Sequence, residues 1–226
     1  MTTKQPTHGV PGQGQSTQSP PTMTRTDRMR RLMSQLTDQL GLFLHRLGVH
    51  PDTVTIVGLL LTLCGAILVG LGYVRGGGVV LLLALPFDAI DGAVARAGGR
   101  ADRFGEMLDS SLDRYADGFI FGALSYYFAV QDEHIWMLCA LAALVGSFMV
   151  SYTRARGEGV NVDVKIGLFS RLERVIVILV MLLWPTAFGL PILEIGVLVL
   201  AVGTNFTGLQ RLWYVYRALK RKHGEG

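Results

Sequence analysis

Six long apolar stretches dominate the sequence and restrict what the chain can fold into. They run approximately from Val54 to Val74, Val79 to Ala95, Phe104 to Val130, Ile135 to Tyr152, Leu172 to Trp184 and Ile192 to Trp213. A helix of about 20 apolar residues crosses the hydrocarbon core of a bilayer, where every backbone amide must be bonded within the helix. With 50% hydrophobic residues, the chain is too apolar for an ordinary soluble domain. We therefore expect an all-α integral membrane protein with six transmembrane helices.

The segments outside the spans differ in character. Residues 1–24 are rich in Gln, Thr, Ser, Pro and Gly, which predicts a disordered polar tail. Residues 25–50 repeat apolar side chains every three or four positions, which predicts an amphipathic helix in the membrane interface or, alternatively, one packed on a partner chain. The six-helix domain is expected over 51–217 and a basic C-terminal tail over 218–226. Gly76 to Gly78 are expected to form a turn between two spans.

Basic residues occupy every second connection between the spans. They lie in Arg25 to Arg46, Arg96 to Arg103, Arg154 to Arg171 and Arg217 to Lys222. Lys and Arg that flank spans stay on the cytoplasmic side, so both termini are expected to be cytoplasmic in a multi-pass protein of the cell (inner) membrane. This face suits anionic headgroups or phosphorylated small molecules, and no aromatic and basic interleaving typical of nucleic-acid binding is present.

Charged residues within the spans are concentrated in the second and third. Helical periodicity places one carboxylate face on each: Asp88, Asp91, Gly92 and Ala95 on the second, and Gly105, Asp109 and Asp113 on the third. Carboxylates that meet at low dielectric repel unless they are protonated or neutralised, and Mg²⁺ or Mn²⁺ with oxygen ligands is the simplest solution. A proton relay in a transporter and ion pairs with nearby arginines are the alternatives. Asp117, another four residues on, is expected to have a supporting or structural role.

These residues carry a specific resemblance. Their types and spacing, Asp88-x2-Asp91-Gly92-x2-Ala95-Arg96-x8-Gly105-x3-Asp109-x3-Asp113, are similar to the signature of the CDP-alcohol phosphotransferases. The resemblance implies six transmembrane helices, a homodimer, and displacement of CMP from a CDP-linked lipid by an alcohol. It also implies two bound Mg²⁺ ions, or Mn²⁺ in their place.

The resemblance assigns roles to individual residues. Asp88, Asp91, Asp109 and Asp113 would ligate the two metal ions, with Asp88 and Asp109 bridging them, and Asp113 would accept the proton of the attacking hydroxyl. CDP-diacylglycerol would contact Asp52, Thr53, Val54, Thr55, Gly92, Ala95, Arg96, Asp102 and Gly105. On sequence grounds alone, the segment that begins with Pro51 and Asp52 is equally well explained as a helix start. Asp102 stands where relatives often have a small hydroxyl residue.

Arginines at the ends of the later spans indicate the acceptor alcohol. Those that exceed what topology requires are Arg154, Arg156, Arg171, Arg174 and Arg211. Arginine suits phosphate oxygens, so the acceptor is expected to carry a phosphate; anchoring to lipid headgroups is the alternative. The segments resemble the actinobacterial phosphatidylinositol phosphate synthases, which implies an inositol phosphate pocket of Arg154, Arg156, Arg174 and Arg211.

Other functions remain open at this stage. Glycerol phosphate is the main rival acceptor, because phosphatidylglycerophosphate synthases share the aspartate signature. A divalent-cation transporter would need a polar path across the membrane, whereas the outer halves of the spans offer almost no charged ligands. A non-catalytic membrane scaffold would leave the aspartate signature unexplained.

Overall fold

A computed structural model describes residues 39, 41–44, 46–97 and 103–224, with the backbone alone at residues 88, 89, 91, 95–97, 103 and 222–224. All of these residues lie in one unit, Thr37–Gly226. The predicted polar tail, most of the predicted interfacial helix and Asp102 lie outside the described residues. Within that predicted helix, residues 41–44 are helical. Gly41 is buried there, and a Cβ at this position would stand 2.7 Å from the Cβ of Ala93.

Six long helices follow one another in the described part of the chain, one for each predicted span. They are α1 (Pro51–Gly70), α2 (Val74–Ala97), α3 (Arg103–Val130), α4 (His134–Gly159), α5 (Arg171–Leu183) and α6 (Ile192–Gly224). Helix α6 continues through residues 218–224, which the sequence assigns to a basic tail. Two short strands that the sequence did not predict, β1 (Thr186–Ala187) and β2 (Leu190–Pro191), pair antiparallel between α5 and α6, with Thr186 opposite Pro191.

Four of the described helices are long and apolar enough to cross a membrane. The spans lie within Pro51–Gly70, Val74–Val94, His134–Gly159 and Ile192–Arg221. Helix α3 has sufficient length but carries several charged residues in its first half, and α5 has only 13 residues. Large apolar side chains such as Leu60, Leu83 and Val202 are exposed on the outer surface, as in a protein that faces lipid. The chain is therefore a membrane protein, and the count of six spans stays a prediction.

The helices are arranged as a closed ring. Helix α1 packs against α2 and α3, α2 also packs against α5, α6 packs against α5 and α4, and α4 completes the ring against α3. An apolar core that includes Val69, Phe121, Leu124, Leu182 and Val197 joins all six helices. The charged first half of α3 lies outside this core. The end of the helix bundle at which α3 begins is therefore polar.

The predicted turn at Gly76 to Gly78 is wrong. These glycines lie in α2, and the turn comes earlier, where α1 ends and Gly72 adopts a positive φ of 90°. The glycines instead permit close helix packing: a Cβ on Gly77 would stand 2.6 Å from the carbonyl oxygen of Gly65, and one on Gly78 would stand 2.9 Å from the Cβ of Leu182. Because nothing larger than hydrogen fits at these contacts, Gly77 and Gly78 serve packing rather than chain reversal.

Candidate active site

Asp109 and Asp113 line a cavity between α1, α2, α3 and α5. They lie four residues apart, so they share one face of α3 as predicted. Gly105 precedes them on the same face, and nothing among the described atoms lies within 4 Å of a Cβ placed on it. The other polar residues that line the cavity are Thr55, Thr62, Asp117 and Arg171. Three carboxylates, a guanidinium and two hydroxyl groups thus line a space with apolar walls.

The carboxyl group of Asp113 is held by two arginines. Arg171 Nη2 lies 2.5 Å from Asp113 Oδ1, and Arg114 Nη2 lies 3.3 Å from Asp113 Oδ2. The side chain of Asp113 is only 12% exposed, whereas that of Arg171 is 39% exposed. Ion pairs of this kind fix the orientation of a carboxylate because the donors are directional. Asp113 is therefore a positioned group at the edge of the cavity.

Asp117 forms a second pair, one turn further along α3. Arg174 Nη2 donates to Asp117 Oδ2 at 3.0 Å, and Ser147 Oγ from α4 donates to the same oxygen at 2.5 Å. Arg174 and Ser147 are fully buried. We call Asp113–Arg171 the cavity pair and Asp117–Arg174 the buried pair. The supporting role expected for Asp117 agrees with this position.

The segment predicted to contact the nucleotide opens α1. Pro51 is its first residue, and His50 Nδ1 lies 3.2 Å from Asp52 Oδ2 just before the helix. Thr55 Oγ1 donates to the carbonyl oxygen of Pro51 at 3.2 Å, and Thr55 also lines the cavity. Thr53 is exposed and Val54 is buried. The structure thus brings Thr55 to the site, and the segment is at the same time an ordinary helix start.

The remaining predicted residues of the second span lie in the last turns of α2. For Asp88, Asp91, Ala95 and Arg96 the structure describes the helical backbone only, and their side chains lie outside the description. Gly92 between them is half-buried. Helix α1 packs against both α2 and α3, and a Cβ on its Gly58 would stand 3.0 Å from the Cβ of Phe87, the residue before Asp88. The relation between the two carboxylate faces stays a prediction.

The donor set fits a hard divalent cation in its chemistry. Carboxylate oxygens are the ligands that Mg²⁺ and Mn²⁺ prefer, and Asp109 and Asp113 present them to one cavity. Among the described side chains, no three carboxyl, imidazole or thiol groups are placed so that they could hold a metal ion together. The predicted set needs Asp88 and Asp91, whose side chains are not among them.

The four arginines predicted to bind the acceptor phosphate fall into two classes. Arg154 and Arg156 are exposed near the end of α4, where Arg154 Nε donates to Glu158 Oε1 at 3.0 Å. Arg174 and Arg211 are buried. Arg211 donates from Nε to the carbonyl oxygen of Ile166 and from Nη1 to that of Val150, each at 2.8 Å, and so fastens the α4–α5 loop. As described, none of the four lines the cavity of Asp109 and Asp113.

Comparison with known proteins identifies the family. Residues 48–208, which contain the whole aspartate signature and the cavity, match the model of the CDP-alcohol phosphatidyltransferases. The chain belongs to this family. It is thus a transferase of phospholipid biosynthesis, and the resemblance drawn from the aspartates is confirmed.

Similar proteins and structures cover most of the chain. The phosphatidylinositol phosphate synthase of Streptomyces avermitilis is 37% identical over 201 residues, which are 83% of this chain and 81% of the relative. The Mycobacterium tuberculosis phosphatidylinositol phosphate synthase with CDP-DAG bound is 34% identical, with a TM-score of 0.76 over 80% of this chain and 94% of that one. The structure of the same enzyme in complex with manganese and citrate gives a TM-score of 0.74 over 80% of this chain and 88% of that chain.

One residue of this phosphatidyltransferase was missed as a site residue by the sequence analysis. Arg171, treated there only as one of several basic residues, lines the cavity and holds Asp113. Its position is fixed by the preceding loop, where the backbone N–H of Phe169 donates to Thr207 Oγ1 at 3.2 Å and the Phe169 ring covers Gly203. The available signal was spacing. Arg171 and Arg174 are three residues apart and Asp113 and Asp117 are four apart, so the two arginines share one helical face and the two aspartates share another.

Proposed function

We propose that this phosphatidyltransferase transfers the phosphatidyl group of CDP-diacylglycerol to inositol phosphate, giving phosphatidylinositol phosphate and CMP. The observation that carries the proposal is the cavity pair, which sets a held carboxylate beside a partly exposed guanidinium in one cavity. A carboxylate is suited to accept a proton from an alcohol, and a guanidinium is suited to a phosphate. The names of the relatives support inositol phosphate as the acceptor.

The reaction needs a nucleophile, a base and a leaving group. The acceptor hydroxyl oxygen would attack the phosphorus that carries the diacylglycerol, the bond from that phosphorus to the CMP oxygen would break, and the hydroxyl proton would pass to Asp113. Asp88, Asp91, Asp109 and Asp113 would hold two Mg²⁺ ions, for which Mn²⁺ could substitute. Bound there, the ions would neutralise the pyrophosphate and the charge that develops on CMP. The manganese in the related structure supports a divalent ion.

The substrate contacts are proposed from the same family pattern. CDP-diacylglycerol would contact the start of α1 and the glycine face of the aspartate helices, at Asp52, Thr53, Val54, Thr55, Gly92, Ala95, Arg96, Asp102 and Gly105. The acceptor phosphate would be drawn by Arg154, Arg156, Arg174 and Arg211, and we add Arg171 because it lines the cavity. Arg211, whose guanidinium donates to two carbonyl oxygens, would contribute positive potential even without direct contact.

The membrane arrangement is also part of the proposal. Six spans, an interfacial helix over residues 25–50, cytoplasmic termini and a homodimer in the cell (inner) membrane are what the basic residues and the family pattern support. A cavity on the cytoplasmic side would admit the soluble acceptor while the acyl chains of CDP-diacylglycerol remain in the bilayer.

The test is CMP release from CDP-diacylglycerol by the purified protein with Mg²⁺, supplied separately with inositol phosphate, glycerol phosphate, inositol and serine. We expect release with inositol phosphate and none after chelation of the metal. Release with glycerol phosphate alone would leave the chemistry intact and overturn the acceptor. No release with any of the four would overturn the enzymatic proposal.

A further inference from the structure

Two ion pairs join α3 to α5. The cavity pair links Asp113 to Arg171, and the buried pair links Asp117 to Arg174. The aspartates are four residues apart and the arginines three, so each step is about one helical turn. The pairs follow in the same order along both helices, which means that α3 and α5 run in the same direction and are matched turn for turn.

These pairs span two helices whose main packing partners lie elsewhere. Helix α3 packs against α1 and α4, whereas α5 packs against α2 and α6. The long arginine side chains therefore bridge the ring. Alignment of α5 with α3 depends on these bridges as well as on the apolar contacts deeper in the ring.

The buried pair has few alternatives available to it. The Arg174 side chain is 2% exposed, and its Nε has no hydrogen-bond partner among the described atoms. Ser147 Oγ holds the same Asp117 oxygen from α4. A buried guanidinium that lost its carboxylate would be left uncompensated, so Arg174 is tied to Asp117 more firmly than an exposed arginine is tied to its partner.

We propose that Asp117 is a positioning residue of the reaction. By holding Arg174, it sets the position of α5 along its axis relative to α3. That axial position decides whether Arg171, one turn earlier on α5, reaches Asp113. The proposal rests on the proposed function, in which Asp113 accepts the proton of the acceptor. Asp117 touches no reacting group in this scheme and acts through Arg171.

A double-mutant cycle separates this role from a merely structural one. CMP release is measured for Asp117→Asn, Arg171→Gln and the double variant, with kcat/KM taken against the acceptor. A displacement of about 1 Å at a catalytic group can cost roughly 100-fold, and we expect Asp117→Asn to lose activity on that order. In the Arg171→Gln background, the same change should cost only about 2-fold, since the two residues act in one chain of contacts.

The opposite results would overturn the proposal. An equal loss in both backgrounds would show that Asp117 stabilises the fold without acting through Arg171, and so would a folded Asp117→Asn protein with unchanged kcat/KM. Thr204→Val is the matched control. Thr204 is also fully buried, and its hydroxyl donates to the carbonyl oxygen of Leu200 at 2.7 Å, away from the cavity. It should change stability without changing kcat/KM for the acceptor.

Two additions keep the test decisive. If Asp117→Asn does not fold, Ser147→Ala removes one of the two donors to Asp117 and should show a smaller loss with the same dependence on Arg171. The cycle is run with whichever acceptor the wild-type protein uses, so a wrong acceptor does not affect it.

A distance measurement gives a readout without catalysis. Spin labels at Tyr115 on α3 and Leu172 on α5, both exposed, report the alignment of the two helices once Cys64 and Cys139 are replaced by alanine. We expect a single narrow distance in the otherwise unchanged protein and a shifted or broadened one in Asp117→Asn or Ser147→Ala. An unchanged distribution in both would overturn the proposal even if no acceptor were found.

Discussion

The cavity pair and the buried pair use the same two residue types on the same two helices, one turn apart, yet their surroundings differ. The Arg171 side chain is 39% exposed and lines the cavity. The Arg174 side chain is 2% exposed, and its partner Asp117 also accepts a hydrogen bond from a serine on a third helix. Water can reach the first guanidinium but not the second. The comparison teaches that packing, rather than residue type, gives two otherwise similar ion pairs different access to water.

The largest effect is expected from the cavity pair. Asp113→Asn keeps the size of the side chain but removes the base, so CMP release should fall by roughly 10²- to 10⁴-fold. The melting temperature in detergent should stay close to that of the wild-type protein, because the side chain borders a cavity. Full activity in this variant would remove Asp113 from the mechanism.

Breaking the buried pair should instead appear as lost stability. Arg174→Leu leaves Asp117 without its cation, which costs about 3–5 kcal/mol of unfolding free energy for a buried pair. Thermal unfolding in detergent, followed by loss of the monodisperse protein, measures it. Asp117→Leu combined with Arg174→Leu should recover much of this loss without recovering activity, and a double variant less stable than either single one would contradict the prediction.

The loop before Arg171 offers a smaller perturbation next to the cavity pair. A Cβ on Gly203 would stand 2.4 Å from the Phe169 ring, so Gly203→Ala must push that ring and should cost about 1–3 kcal/mol. Thermal unfolding and the KM for the acceptor are measured together. Phe169→Leu should relieve the clash in the double variant, and no change in either quantity would show that the loop adjusts freely.

The smallest effect is expected where an ion pair is open to solvent. Arg154 and Glu158 on α4 are 58% and 52% exposed, and Glu158→Gln should change the unfolding free energy by about 0.2–1 kcal/mol. The same thermal unfolding assay detects it. A loss as large as that of Arg174→Leu would mean that exposure does not set the strength of these pairs.

The sequence predicted the helices well and their ends less well. Backbone amides in an apolar segment surrounded by lipid must be bonded within the segment, and each of the six predicted segments has its helix. The run from Gly76 to Gly78 misled the prediction because glycine serves both turns and close packing. Only the positions of Gly65, Val69 and Leu182 on other segments show which use applies here.

The sequence predicted that Asp109 and Asp113 share a helical face, while the metal site and the arginine pocket stay predictions. Asp109 and Asp113 line one cavity because a step of four places them on one helical face, which sequence alone implies. Arg174 and Arg211 were predicted to bind the acceptor phosphate, and in the structure their hydrogen bonds are to other parts of this chain. The sequence could not name the partners, since Asp117, Ser147 and the carbonyl oxygens of Ile166 and Val150 are distant along the chain.

The sequence by itself determined that this is a helical membrane protein of the CDP-alcohol phosphatidyltransferase family, because both conclusions depend on local composition and fixed short spacings. Only the tertiary structure decided that Arg171 pairs with Asp113 at the cavity while Arg174 is buried and pairs with Asp117. The two arginines differ by one turn of the same helix, and what separates their roles is which of them lies beside the cavity. That depends on how six helices pack, which no local pattern contains.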